Sequence, residues 1–350
     1  MNAAPTDGRT HGRVLAVDAM GGDHGPTVMV EAAVEALARD PDLSVVLVGD
    51  GAAIEARLAA LTGAPAGRIR IIPAESVIPG HATAREVLRR GKGSSLWVAL
   101  QQVAGGEAHA CVSAGNTVAL MTLGIKLVGR LEGIQRPAFM SHIPTSTRLT
   151  GMLDLGANLN VDATALFQFA LMGVVVRTGR EGAGQHPAVG LLNVGHEDSK
   201  GHGVLREAHD RLRDSDLNYM GFIEGHDLFG GKVDVAVCDG FAGNLVLKSS
   251  EGLAEMLFAE FRNALTSGPR ARLGAWLARP ALRRMLARLD PDKHNGAPLL
   301  GLRGVVVKSH GRSRQAATTH AILEAGREVE KNVPERIAKT IRAHDAEDPA

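Results

Sequence analysis

The chain has 350 residues, 45% of them hydrophobic, and a formal net charge of +1. It is long enough to bury a large core in one domain or two, and so balanced a charge gives no reason to expect a nucleic-acid partner. Glycine, with 42 residues, exceeds its usual share of roughly 7%, and aromatics make up only 3%. The core is therefore expected to be Ala, Val and Leu between many glycine turns, as suits a layered α/β protein.

Residues 1–12 read as a loose polar tail without the apolar centre of a signal peptide. No apolar run in the chain approaches the roughly 18 residues that span a bilayer. Cys111 and Cys238 are the only cysteines, and both fall in strand-like runs. A disulfide framework is thus not expected, a reducing compartment is, and Cys/His spacing of the metal-binding kind is absent.

Residues 14–18 (VLAVD) read as a first strand, followed by the glycine loop 19–26 and a helix over 28–39 with Pro26 near its start. Further strands are expected at 43–48 and 68–72, around a helix at 52–61. The stretch 81–95 (HATAREVLRRGKGSS) is basic, and Arg85, Arg89, Arg90 and Lys92 face either water or a phosphate-bearing partner. Residues 109–112 form a strand leading into Ser113-Ala114-Gly115-Asn116-Thr117 and a helix over 118–128. Hydroxyl and amide groups there are placed to cap the helix or to hold an anion.

A strand at 138–143 and a polar link precede 152–155, which runs through Gly156, Ala157 and Asn158 into a helix over 163–177. The strand at 188–192 ends in a loop, Asn193 to Gly201, before a helix over 204–213. Lys200 stands just ahead of that helix, where a cation opposes the helix dipole unless an anion binds nearby. After a strand at 219–223 and Glu224-Gly225-His226-Asp227 comes VDVAVCDGFAGNLVLKSSEG. Its β-branched run reads as a buried parallel strand, and helical spacing starts at Leu245. The loop between them, Asp239 to Asn244, supplies an acceptor, a carboxamide and two glycines, Gly240 and Gly243, that admit tight backbone and the close approach of a ligand. It reads either as the active-site loop or as a plain turn with Asn244 as helix cap.

Residues 268–289 are rich in Arg and Leu. Leu282, Met285, Leu286 and Leu289 follow i, i+3, i+4, i+7 spacing, with Arg279, Arg283, Arg284 and Arg288 opposite, and Pro280 separates this segment from Leu273, Trp276 and Leu277. Such a basic amphipathic pair suits an anionic lipid surface, an acidic protein, or packing on the core or a dimer contact. The chain closes with a strand at 305–308, a loop carrying Ser309, His310 and Gly311, a helix from about 316 to 329, and a polar end. There is no G-x-G-x-x-G after a strand, no P-loop, no G-x-S-x-G elbow and no H-E-x-x-H. His24 and His196 read as loop residues; His310 is kept as a site candidate.

Taken together, DAMGGDHGP (18–26), SAGNT (113–117), LDLGAN (153–158), the 193–201 loop ending in KG, EGHD (224–227), CDGFAGNLVLKSSEG (238–252) and KSHGRS (308–313) resemble the phosphate acyltransferases of the PlsX family, in order over about 13–337. The resemblance implies a three-layer αβα fold with a Rossmann-like, mostly parallel sheet, similar to the phosphotransacetylases and isocitrate dehydrogenases. On that reading 13–338 is the catalytic domain, 268–289 a basic amphipathic helical insertion and 339–350 a polar tail. The implied activity moves a long-chain fatty acyl group from acyl-[acyl carrier protein] to inorganic phosphate for phospholipid synthesis, with no cofactor and no metal.

The resemblance further implies a cytoplasmic homodimer, peripherally held at the inner face of an anionic membrane, and contact with the next acyltransferase of the pathway. Carried over by residue, it favours Lys200 and Asn244 as the catalytic pair. It sets Asp18, Gly21, Gly22, Asn116, Asn158 and His310 around the cleft with the Asp239, Gly240 and Gly243 loop, and makes Trp276, Arg279, Arg283, Arg284 and Arg288 the membrane or carrier-protein contact. Val118 departs from the family's usual glycine and is expected to narrow the pocket near Asn116. The competing readings are a short-chain phosphotransacetylase using acyl-CoA, a metal- and NAD-dependent decarboxylating dehydrogenase, which a single tyrosine (Tyr219) and no clear trio of metal carboxylates disfavour, and a non-catalytic membrane-surface scaffold.

Overall fold

A computed structural model of the chain describes residues 12–178, 186–289 and 295–347. The elements begin with β1 (Arg13–Asp18), α1 (Gly25–Arg39), β2 (Leu43–Gly49), α2 (Gly51–Ala59), β3 (Ile69–Pro73), α3 (Ala84–Arg90), α4 (Ser95–Ala104), β4 (Ala110–Ser113) and α5 (Thr117–Leu123), which continues as a π turn. Next come β5 (Ala138–Pro144), β6 (Leu149–Leu153), α6 (Ala163–Arg177), β7 (Val189–Leu192), α7 (Gly203–Arg213), β8 (Tyr219–Ile223), α8 (Gly225–Gly230) and β9 (Val235–Val237). The last are α9 (Gly240–Thr266), α10 (Pro269–Leu289), β10 (Ala297–Leu300), β11 (Val305–Lys308), α11 (Gln315–Glu330) and α12 (Val333–Glu347).

Among the described residues eleven strands join one sheet, in the order β3-β2-β1-β4-β11-β10-β5-β6-β9-β7-β8. Two parallel blocks, β3-β2-β1-β4-β11 and β6-β9-β7-β8, are joined through three antiparallel pairings of β11, β10, β5 and β6. The three reversals make the second block run opposite to the first, so each block has its own rim of strand carboxyl ends. In the first block Asp18, Ser113 and Lys308 end β1, β4 and β11. Strands buried on both faces read as unbroken Val/Leu/Ala runs, as in Leu43–Gly49.

The helices cover both faces. α1 and α11 pack on each other over one face of the first block, with Met29, Ala33 and Leu37 in that core, and α4 with α5 covers the other. α6, flanked by α7 and α12, lies over the second block. It is apolar on every side, and almost every residue is buried, which is what an all-round apolar helix requires.

α10 is one helix with Pro280 inside it, not two helices parted there, and α9 and α10 project together: of α9 only Gly240 and Gly243 are buried. The expected polar tail from 339 is the second half of α12, where Ile341 is buried and His344 lies against Phe167 with ring centroids 4.6 Å apart. Part of the basic stretch at 81–95 is α3, started by a Thr83/Glu86 capping box, and β6 begins inside the polar link. The N-terminal tail, residues 1–11, lies outside the described residues.

Candidate active site

The rim of the first block opens into a cleft of about 540 Å³ lined by Asp18, Gly21, Gly22, Asn116 and His310, together with Lys248, Lys308 and Ser95. β1, β4 and β11 pair in register, so their ends stand side by side. Gly21 and Gly22 turn the chain beneath the cleft: a Cβ on Gly21 would sit 2.8 Å from the Gly115 nitrogen, and Gly22 has φ +84°. Both positions therefore need glycine.

Asp18 is buried, and its Oδ2 accepts a 2.7 Å hydrogen bond from Ser113 Oγ while Oδ1 has no partner. Burial raises its pKa, against the pull of the hydrogen bonds that favour the carboxylate. Lys308 reaches the carbonyls of Ala114 and Ser309. Its ammonium is pushed down to about 8 by burial first and by the charge of Lys248 second. Lys248 comes from α9: its Nζ lies 3.3 Å from His310 Nε2 and 2.7 Å from Glu251 Oε2. Burial and Lys248 also lower the pKa of His310. Two lysines and a histidine thus meet at one end of the cleft, where Lys248 lowers the pKa of both neighbours while Asp18 and Asp23 act on Lys308 in the opposite sense; a bound anion would favour the charged lysines.

The rim of the second block holds the other candidates. Asp239 is the N-cap of α9, its Oδ1 accepting from the Ala242 N–H at 2.7 Å, so the helix starts five residues earlier than its spacing suggested and Asn244 is not the cap. Gly240 and Gly243 permit a close approach to the 154–158 loop: a Cβ on Gly240 would lie 2.7 Å from the Asn158 carbonyl oxygen, and one on Gly243 would overlap that of Asp154. Asn158, expected at the cleft, is buried, and its amide donates to the Pro137 carbonyl at 2.8 Å and to Asp154 Oδ2 at 3.0 Å. It braces the loop under α9.

Asn244 itself is exposed on the first turns of α9, beside Gly156. Four residues on, Lys248 shares its helix face and reaches the first rim, so α9 links the two sets of residues. Lys200 is exposed on the β7–α7 loop and is not among the cleft-lining residues. Its loop nevertheless leaves β7, the strand paired with β9, from which α9 springs. Beneath it Asn193 is buried with neither amide atom bonded, directly under Gly201. His196 ties the same loop to the start of α8, with its ring nitrogens 3.1 Å from Glu224 and 2.7 Å from Asp227.

Asn116 lines the cleft, but its amide is engaged: it caps α5 through the Ala119 N–H at 2.8 Å and donates to the Gly80 carbonyl at 2.8 Å. Val118 is exposed and absent from the cleft wall, so the expected narrowing does not occur. Trp276, Arg279, Arg283 and Arg284 are exposed on α10, while the side chain of Arg288 lies outside the described residues. Leu253, Met256, Leu257, Phe261, Leu273 and Leu277 add exposed apolar side chains to the α9–α10 projection. Cys111 and Cys238 are buried free thiols whose pKa values burial pushes well up, which makes them inert.

The fold is that of the phosphotransacetylases. A phosphotransacetylase from Streptococcus pyogenes superposes with a TM-score of 0.58 at 16% identity, over 92% of this chain and 95% of that one. EutD phosphotransacetylase from Staphylococcus aureus gives 0.54 at 14% identity, over 90% and 94%. In sequence, the family described as "Fatty acid synthesis protein" matches residues 13–336. The protein named "Phosphate acyltransferase" from Photobacterium profundum is 47% identical over 330 residues, 93% of this chain and 96% of its own. The one of that name from Caulobacter vibrioides is 50% identical over 301 residues, 85% and 83% of the two chains. The chain belongs to this phosphate acyltransferase (PlsX) family and is an enzyme of the acyltransferase class.

Proposed function

We propose that the protein transfers a long-chain fatty acyl group from acyl-[acyl carrier protein] to inorganic phosphate, giving acyl phosphate for phospholipid synthesis. The observation that carries this reading is the meeting of Lys248, Lys308 and His310 over the Gly21–Gly22 turn at one end of the cleft, with Asn244 one helical turn away on the Lys248 face of α9. Phosphate is already an anionic nucleophile, and a thiolate leaves readily, so positioning and charge stabilisation suffice.

A phosphate oxygen attacks the thioester carbonyl carbon, the negative charge moves to the carbonyl oxygen, and collapse breaks the C–S bond and releases carrier-protein thiolate. Lys248 and Lys308 receive the phosphate, and His310, kept neutral at neutral pH by its lowered pKa, offers a hydrogen bond beside them. Lys200 and Asn244 form the catalytic pair: Lys200 neutralises the attacking phosphate, with Asn193 below its loop, and Asn244 donates to the oxyanion. The apolar and basic α9–α10 projection serves a homodimer contact and the surface of an anionic membrane, where the next acyltransferase of the pathway can take up the product.

The test is to incubate the protein with palmitoyl-[acyl carrier protein] and phosphate and to trap acyl phosphate with hydroxylamine. Hydroxamate is expected; its absence, or its formation only from short-chain acyl-CoA, would replace this reading with the phosphotransacetylase one. The same assay reads Lys308. Only a protonated Lys308 attracts phosphate, so the KM for phosphate should climb as pH rises through about 8, with bound phosphate moving the midpoint higher. Lys308→Met should raise that KM at neutral pH and flatten its rise; an identical profile in the variant would remove Lys308 from the phosphate site.

A further inference from the structure

We propose that the exposed cationic face of α3 is the docking surface for the acidic carrier protein that delivers the acyl group, a proposal that rests on the transfer reading above. Arg85, Arg89, Arg90 and Lys92 are all exposed, and none has a salt bridge to a described acidic side chain within 4.0 Å. The single acid among them, Glu86, is occupied: its Oε2 accepts from the Thr83 backbone and hydroxyl at 2.8 Å each. Helix capping accounts for Arg89 and Arg90, which sit in the last turn where cations suit the dipole. It does not account for Arg85, one turn before Arg89 on the same face, where like charges oppose helix formation, nor for Lys92 beyond the helix end.

The location matters as much as the charge. The segment leading into α3, Val77 to Gly80, forms part of the cleft wall. The Asn116 amide fixes it there through the carbonyls of Gly80 and Ala82 at 2.8 and 3.0 Å. A partner seated on α3 would therefore stand at the mouth of the cleft, from which a thioester on a flexible arm could reach the cations. Leu88, 48% exposed, puts an apolar contact on α3 among the arginines, and Val77, equally exposed, puts another on the cleft wall that leads into the helix. That mixture suits a protein surface, where a few apolar anchors sit within a polar rim, whereas the broad apolar face of this chain is on α9 and α10.

The experiment compares the full chain with the charge-reversed variant R85E/R89E/R90E/K92E and the milder R85Q/R89Q, after thermal melts show that both fold. Binding of the apo carrier protein, without arm or acyl group, is measured at several salt concentrations, and kinetics are measured with acyl-[acyl carrier protein] and with the same acyl group on pantetheine alone. Rim charges act mainly on encounter, so kcat/KM for the carrier-borne substrate should fall about 10- to 100-fold in the reversed variant and less in R85Q/R89Q. The kcat, the KM for phosphate and the pantetheine reaction should stay unchanged.

Carrier binding and kinetics equal to those of the unaltered chain would overturn the docking site. So would a variant that loses only its hold on phosphatidylglycerol vesicles, since the face would then be a lipid surface. Should the unaltered chain bind the apo carrier through α3 yet form no acyl phosphate from its acylated form, docking would stand and the transfer reading would fall.

Discussion

Asn244→Ala should lower kcat by about 100-fold or more while the KM for phosphate stays where it was. The amide is exposed, makes no hydrogen bond to another described residue, and lies on the same face of α9 as Lys248. Among the described residues no hydrogen-bond partner occupies it, which leaves the amide available to a group that appears only during reaction. Negative charge grows on the thioester oxygen as phosphate attacks, and a fixed donor aimed at that charge is worth roughly 3 kcal/mol when it is removed. An interaction made only in the transition state reduces kcat and kcat/KM equally. Asn244→Asp sharpens the test, because the shape is retained while the donor becomes an acceptor beside a developing anion. Initial rates of hydroxamate formation, with melts to show unchanged folding, provide the check; an Asn244→Ala enzyme of normal turnover would take away the oxyanion role.

Buried parallel strands and one-faced helices leave periodic apolar runs, so the alternation of strands and helices is legible along the chain: the strand at 219–223 falls where its pattern places it and the helix expected at 204–213 starts one residue earlier. α3 is hidden because its face is charged and short, with one buried apolar residue, Val87, to betray it. The start of α9 is misplaced for a different reason. Gly240 and Gly243 look like loop residues, yet they are in the helix because another loop presses on it, a tertiary contact that no local pattern encodes.

Asp18, Gly21, Gly22 and His310 are legible through motifs at strand ends and do meet in one cleft. Lys308 escapes notice as the last residue of a strand, although the end of a parallel strand is where ligands bind in such sheets. Lys248 has a usable signal: with α9 known to include Asn244, the i, i+4 spacing puts the lysine on the same face. Asn158 shows the opposite case, since an asparagine at a loop–helix junction is as useful for holding backbone as for holding substrate, and here its amide holds the Pro137 carbonyl; Asn116 lines the cleft while its amide holds backbone.

The second large effect concerns the support beneath Asn244. Gly243→Ala should destabilise the protein by about 3 kcal/mol or more, the upper end for forcing one methyl into a packed interior. The new Cβ would overlap the Asp154 carbonyl oxygen and lie 3.0 Å from Cys238 Sγ. Neither can step aside: Asp154 is buried with its carboxylate bonded to the Phe139 and Asn158 N–H groups at 3.0 and 2.6 Å, and Cys238 follows β9 in the core. The helix must therefore move, carrying the neighbouring Asn244 with it, so activity should fall even in the fraction that folds.

Gly252→Ala, further along the same helix, is the control. A Cβ there meets nothing within 4 Å, so the change should instead stabilise by about 0.5–1 kcal/mol through the ordinary helix preference for alanine. Denaturant midpoints of the two variants, measured together, separate the explanations. If both shift upward, α9 does not press on the 154–158 loop. If both shift downward by similar amounts, the helix is sensitive to any added methyl and the special closeness at Gly243 is refuted. Opposite shifts, with turnover lost only in Gly243→Ala, are what a helix clamped at its first turn and free further out must give.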